Sequence, residues 1–145
     1  MAYNFERSLV HQFHRASQFA DELFAKENDG TLPTPRQSVV LAAIAAQSGA
    51  SQTDIVKSTG IDRSTLADIV RRLVARQMVA RKRSRDDARA NVLQITNGGR
   101  AALEVAERSA QRTDEQLLQA LGPADRECLM SVLTTIFSQQ EQQAE

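Results

Sequence analysis

A mainly helical fold with one small β-hairpin is what this sequence predicts, and three observations carry it. Only three prolines and six glycines interrupt 145 residues, so few points force the chain to break. Apolar residues recur at helical spacing through successive segments. One stretch, from about Val79 to Ile95, lacks that spacing and reads as two short strands joined by a charged tip.

Taken in order, the first helix is expected from about Tyr3 to Lys26, lined by Phe5, Leu9, Phe13, Ala16, Ala20, Leu23 and Phe24, and ended by Asn28-Asp29-Gly30. The second start is sharper. Thr34 can cap, Pro35 suits a first helical position whose N–H has no partner anyway, and Gln37 can complete a capping box. Val40, Leu41, Ile44 and Ala45 form its buried stripe. Ser51 and Asp54 cap a short third helix through Ser58, and Gly60 is free to take positive φ at its end. Asp62 then caps a helix whose Leu66, Ile69, Val70, Leu73 and Val74 follow i, i+3, i+4, i+7, i+8. Val79–Arg83 and Asn91–Ile95 are the two strands. Thr96 starts a long helix to about Ala120 lined by Leu103, Ala106, Ala110, Leu117 and Leu121. Gly122-Pro123 breaks the chain once more. The last helix carries the stripe Leu129, Val132, Leu133, Ile136 and Phe137.

Bulk properties narrow the function classes. This length suits one compact domain, or a small domain whose helical arms find their core in a partner. The start Met1-Ala2-Tyr3-Asn4 has no apolar signal core, and no long charge-free apolar stretch follows, so the expected location is the cytoplasm, away from the membrane. A single cysteine, Cys128, cannot form an internal disulfide, and His11 and His14 alone cannot fill a tetrahedral site. No Ser/His/Asp or Cys/His arrangement, phosphate-binding glycine loop or paired catalytic carboxylates stands out. No catalytic, metal or cofactor site is therefore expected, which weighs against a small enzyme built on a helical dimer.

Charge is where the sequence speaks. Residues 63–100 hold ten of the eighteen Lys and Arg side chains and only three acids, a net +7 inside a formally neutral chain, so the remainder carries −7. A short helix, a glycine turn and a second helix with one polar face make a helix-turn-helix. Its second helix leaves Arg63, Ser64, Thr65, Ala67, Asp68, Arg71 and Arg72 on or near the open side. Small groups there allow close approach to a major groove, and the arginines can reach phosphates or guanine edges, Arg71 being the favoured base reader. Taken alone, two amphipathic helices joined by glycine fit a helical bundle equally well.

The basic hairpin tips the balance. Its tip Lys82-Arg83-Ser84-Arg85-Asp86-Asp87-Ala88-Arg89 forms a β-wing that can meet a flanking minor groove, where concentrated negative potential attracts Arg. Lys82, Arg83 and Arg85 add phosphate contacts. Arg89 is expected to insert, steadied by Asp87 through a charge-assisted hydrogen bond. The bland alternative is a surface ion pair worth well under about 1 kcal/mol. The expected fold is thus a winged helix-turn-helix domain over residues 31–96, flanked by helical arms at 1–30 and 97–145.

Leu32-x-Thr34-x-x-Gln37-x-x-Val40-Leu41, Asp62 to Leu73, Val79-x-Arg81, Asp87-x-Arg89 and Ile95-Thr96-x-x-Gly99 together resemble the MarR family of winged-helix transcription regulators. The resemblance implies an obligate homodimer on a roughly palindromic operator, most often a repressor, with Arg89 as wing arginine and the helix from Asp62 as recognition helix. It also implies release of DNA when a small aromatic or anionic molecule fills a cleft between the dimerisation helices and the winged helix. Phe13, His14, Arg15 and Phe19 could line such a cleft, although core packing of the two rings is the competing reading. Some relatives sense peroxide through a cysteine in the first helix; here that helix has none, which leaves Cys128 a minor option. One departure is local: Gln77 stands where the family usually places glycine, so positive φ there would cost about 1 kcal/mol.

Dimerisation also follows from packing. The arms' apolar stripes cannot all bury against one small winged helix, and two-fold pairing with a second copy resolves this. Leu9, Phe13, Leu129, Leu133, Ile136 and Phe137 are the expected interface. The expected partners are double-stranded DNA, a second copy and a small effector. A rival reading is a winged helix serving as a protein-interaction module whose wing meets an acidic partner.

Overall fold

The computed structural model describes residues 4–28, 30–83 and 91–142, the last four as backbone alone. Its elements are helices α1 (Leu9–Lys26), α2 (Pro35–Ala46), α3 (Gln52–Thr59) and α4 (Arg63–Ala75), strands β1 (Val79–Arg83) and β2 (Asn91–Ile95), and helices α5 (Asn97–Leu118) and α6 (Pro123–Gln142). This is the expected mainly helical winged-helix architecture. The first helix begins later than its periodicity suggested, because Phe5–Arg7 form a separate 3-10 turn and Ser8 Oγ accepts from the His11 N–H at 3.4 Å to start α1. Tyr3 and Asp29 lie outside the described residues.

Local chemistry sets the helix starts. Thr34 and Gln37 close a reciprocal capping box on α2 with Pro35 in its first turn, and Ser51 with Asp54 does the same for α3. Gly60 ends α3 in the left-handed region at φ 66°. Asp62 Oδ1 accepts from the Thr65 N–H at 2.9 Å to open α4. Thr96 Oγ1 accepts from the Gly99 N–H at 3.0 Å, so Thr96 is the cap of α5 rather than its first residue.

One core joins α2, α3, α4 and the hairpin: Val40, Leu41 and Ile44 meet Ile55, Leu66, Val70, Leu73, Val79, Leu93 and Ile95, with Leu103 of α5 added. Ala45 and Val74, also expected on the buried stripes, are half-buried at its margin. The strands pair antiparallel with Val79 opposite Ile95 and Arg83 opposite Asn91. The N–H of Leu93 donates to the Ala50 carbonyl at 2.9 Å, tying the chain ahead of α3 to β2. The chain divides into two compact units, 1–113 and 114–145. Within the second, α6 has no buried residue among those described, and Leu129, Met130, Val132, Ile136 and Phe137 are all exposed while Leu133 is half-buried. No helix among the described residues is long and apolar enough to cross a membrane.

Candidate nucleic-acid interface

The helix-turn-helix is built tightly. Thr59 Oγ1 donates to the Ile55 carbonyl at 2.7 Å and accepts from the Ile61 N–H at 3.3 Å, so the turn around Gly60 has its own hydrogen bonds. Leu66, Ile69, Val70 and Leu73 anchor one face of α4 in the core. The other face is open: Arg63, Ser64, Ala67, Arg71 and Arg72 are exposed, and Thr65 and Asp68 are half-buried. Hydrogen bonds donated by the side chain and the backbone N–H of Thr65 hold the Asp62 carboxyl below the usual carboxylate range.

Asp68, Arg71 and Arg72, three separate candidates in the sequence, are joined in the structure. One Asp68 oxygen pairs with Arg71 Nη2 and the other accepts from Arg72 Nε at 2.7 Å. The hydrogen bond from Arg71, assisted by both positive charges, lowers the Asp68 carboxyl's pKa. The i, i+3 and i, i+4 spacings were the available signal.

On the hairpin, Arg81, Lys82 and Arg83 of β1 are exposed in a row. Arg85, Asp87 and Arg89 lie outside the described residues, so the expected Asp87–Arg89 contact does too. The hairpin's base is firmly placed. Gln77 takes φ 57°, and its carbonyl accepts from Thr96 Oγ1 at 2.7 Å. Gly99 packs so close that an added Cβ would overlap the Met78 carbonyl and lie 2.9 Å from Ile95 Cγ1. These contacts give the Ile95-Thr96-x-x-Gly99 spacing a physical basis: it fastens the end of α4 to the start of α5.

Arg76, absent from the expected site, follows α4. Its Nη2 donates to the Thr31 carbonyl, while Nη1 lies 3.5 Å from the Leu32 carbonyl and 3.4 Å from Gln37 Oε1. A lone arginine at a helix end carries no sequence signal for partners 39 to 45 residues earlier.

The expected effector residues divide. Arg15 and Phe19 line a groove of about 460 Å³ along α1 with Gln12, Ala16, Gln18 and Glu22, whereas Phe13 and His14 do not. Phe13 and Phe19 are 45% and 51% exposed, so the core reading of both rings does not hold within this chain. A second cavity of about 520 Å³ uses none of the four. It is walled by Ser17, Asp21, Phe24, Ala25 and Asn28 on one side and by Gly30, Leu32, Thr34, Pro35 and Arg36 on the other. Among the described residues no three His, Cys, Asp or Glu side chains are grouped to hold a metal ion.

This geometry has known counterparts. A sequence model described as the MarR family matches residues 33–90. The HTH-type transcriptional repressor NicR of Pseudomonas putida is 25% identical over 139 residues, covering 96% of this chain and 88% of its own. BpsR of Bordetella bronchiseptica, solved to explain how 6-hydroxynicotinic acid regulates its DNA binding, superposes with a TM-score of 0.85 at 29% identity, covering 94% of this chain and 97% of that one. The transcriptional repressor CouR bound to a 23-mer DNA duplex gives a TM-score of 0.79 at 31% identity over 94% of this chain and 99% of its own. CouR is also known with p-coumaroyl-CoA, at 30% identity, a TM-score of 0.80, and coverage of 94% of this chain and 96% of its own. With a capped α4, a basic hairpin and relatives of this kind over nearly its full length, the chain belongs to the MarR family of winged-helix, DNA-binding transcription regulators.

Proposed function

We propose that this protein is a homodimeric transcriptional repressor that binds a roughly palindromic operator and lets go when a small aromatic or anionic molecule binds. The observation that carries the reading is the open face of α4 together with the exposed basic run Arg81, Lys82 and Arg83 of β1, on a fold shared with a repressor solved on duplex DNA. In this reading Arg63, Ser64, Thr65, Ala67, Asp68, Arg71 and Arg72 meet the major groove. Lys82, Arg83, Arg85 and Arg89 meet phosphates and the minor groove, with Asp87 orienting Arg89. The two copies pair through Leu9, Phe13, Leu129, Leu133, Ile136 and Phe137, on arms formed by residues 1–30 and 97–145 around a DNA-binding domain at 31–96. The effector is of the class represented by 6-hydroxynicotinic acid for BpsR and p-coumaroyl-CoA for CouR: an aromatic ring with an acid group or its thioester. It fills the cavity between α1 and the start of α2, whose lining includes Arg36 and the buried Phe24, a cation and an aromatic residue that suit such a molecule.

Chromatography on immobilised duplex DNA tests the first part. Retention should fall steeply with salt, because binding releases counterions from several phosphates. A dimer that ignores duplex DNA at low salt but captures an acidic protein would transfer support to the protein-interaction reading. Titrating aromatic carboxylates and their thioesters while following melting temperature and operator release tests the second part. A panel in which none raises the melting temperature or frees the DNA would leave the effector without support.

A further inference from the structure

The carboxylate of Asp68 lies at the middle of the surface that α4 turns outward. At 100° per residue it stands about 140–160° round the helix from Leu66, Val70 and Leu73, all of which are buried. Ser64 lies along nearly the same line one turn earlier, and Ala75 two turns later. A negative charge at the centre of a face that meets a polyanion opposes phosphate contact in every register. Here it is occupied on both oxygens, by Arg71 through a terminal nitrogen and by Arg72 through Nε at 2.7 Å.

The two arginines are left in different states. Bound through Nε, Arg72 keeps both terminal nitrogens together as a free fork, the geometry that pairs with guanine N7 and O6. Arg71 has one N–H of a terminal nitrogen committed to Asp68, so its terminal pair is less free than that of Arg72. The carboxylate also fixes the Arg72 side chain before any DNA arrives, which removes part of the ordering cost of contact.

We propose that Asp68 is the residue that sets operator discrimination, by presenting the Arg72 fork to a guanine while its own charge disfavours purely phosphate-held complexes. This rests on the DNA-binding reading above and replaces Arg71 with Arg72 as the principal base reader. Correct sequence satisfies the fork and leaves the Asp68 bond intact. A wrong base leaves buried donors unpaired, and the arginine cannot swing to a phosphate without abandoning Asp68. Discrimination is then gained partly by making the wrong complexes worse.

The test is selection from a random duplex library by the native protein and by the Asp68→Asn, Asp68→Ala and Arg72→Ala variants. Binding to the selected duplex and to a scrambled one is then titrated across salt. Preference at one base position should be lost in all three variants, and it should be the same position. Asp68→Asn should bind the scrambled duplex several-fold more tightly than the native protein does, and its preference for the selected duplex should drop by about tenfold. Circular dichroism melts that match the native protein keep these effects apart from unfolding. An Asp68→Asn variant with native sequence preference would overturn the inference, as would equal weakening on both duplexes or loss at a position different from that of Arg72→Ala. A native protein with no preference among duplexes would instead remove the regulator reading itself.

Discussion

Gln77 and Gly99 both belong to the joint between α4 and α5, and each is held by a different constraint. Gln77 has positive φ, a conformation that disfavours any residue with a Cβ. Replacing it with glycine should stabilise the fold by about 1 kcal/mol, read as a higher urea midpoint at unchanged slope. Gly99 has ordinary φ but no room, since a Cβ would overlap the Met78 carbonyl. Gly99→Ala should therefore destabilise by about 1–3 kcal/mol on the same measurement. The first effect was legible from the sequence, where Gln77 stands out against the family pattern. The reason for the second was not, because steric closeness between residues twenty-one positions apart leaves no periodic trace.

At the scale of elements, acid side chains start α3 and α4 and brace the open face of α4. Asp54, Asp62 and Asp68 all have lowered carboxyl pKa values, the first two from hydrogen bonds at helix starts and the third from Arg71 and Arg72. A carboxyl lowered on folding adds stability that is complete above its unfolded pKa of about 4 and is lost as pH falls through the lower folded value. Melting temperature should thus be level on this account from pH 7 to 5 and decline below about pH 4, with a smaller decline in Asp62→Asn. The caps and both strands could be read directly, because capping needs particular side chains at fixed spacing. The 3-10 turn before α1 could not, because Phe5 and Leu9 continue the apolar rhythm across it. Nor could the burial of Ser109 and Thr113 on α5, where Thr113 Oγ1 satisfies itself by donating to the Ser109 carbonyl at 2.9 Å. For the hairpin, Arg89→Ala should weaken operator binding strongly with an unchanged melting temperature. Leu73→Ala, fully buried in α4, should instead cost about 2–5 kcal/mol of stability through the cavity it leaves. A folded Arg89→Ala protein with native operator affinity would exclude that residue from the wing contact.

Across the whole molecule, charge and apolar surface are unevenly shared. The positive segment 63–100 is balanced by acids elsewhere, and α6 leaves most of its apolar stripe uncovered within the chain. If a second copy covers it, Ile136→Glu combined with Phe137→Glu should halve the mass seen by sedimentation and lower operator affinity sharply. A double variant that remains dimeric would place the interface elsewhere. Arg76 adds a consequence for the molecule as a machine. The carbonyls of Thr31 and Leu32 that hold its guanidinium belong to the same loop whose Gly30, Leu32 and Thr34 wall the larger cavity. If the operator and a compound in that cavity favour different arrangements of the loop, the compound binds the free and the operator-bound protein unequally. Thermodynamic reciprocity would make that exchange mutual: the seated operator would loosen the compound by the same factor by which the compound loosens the operator.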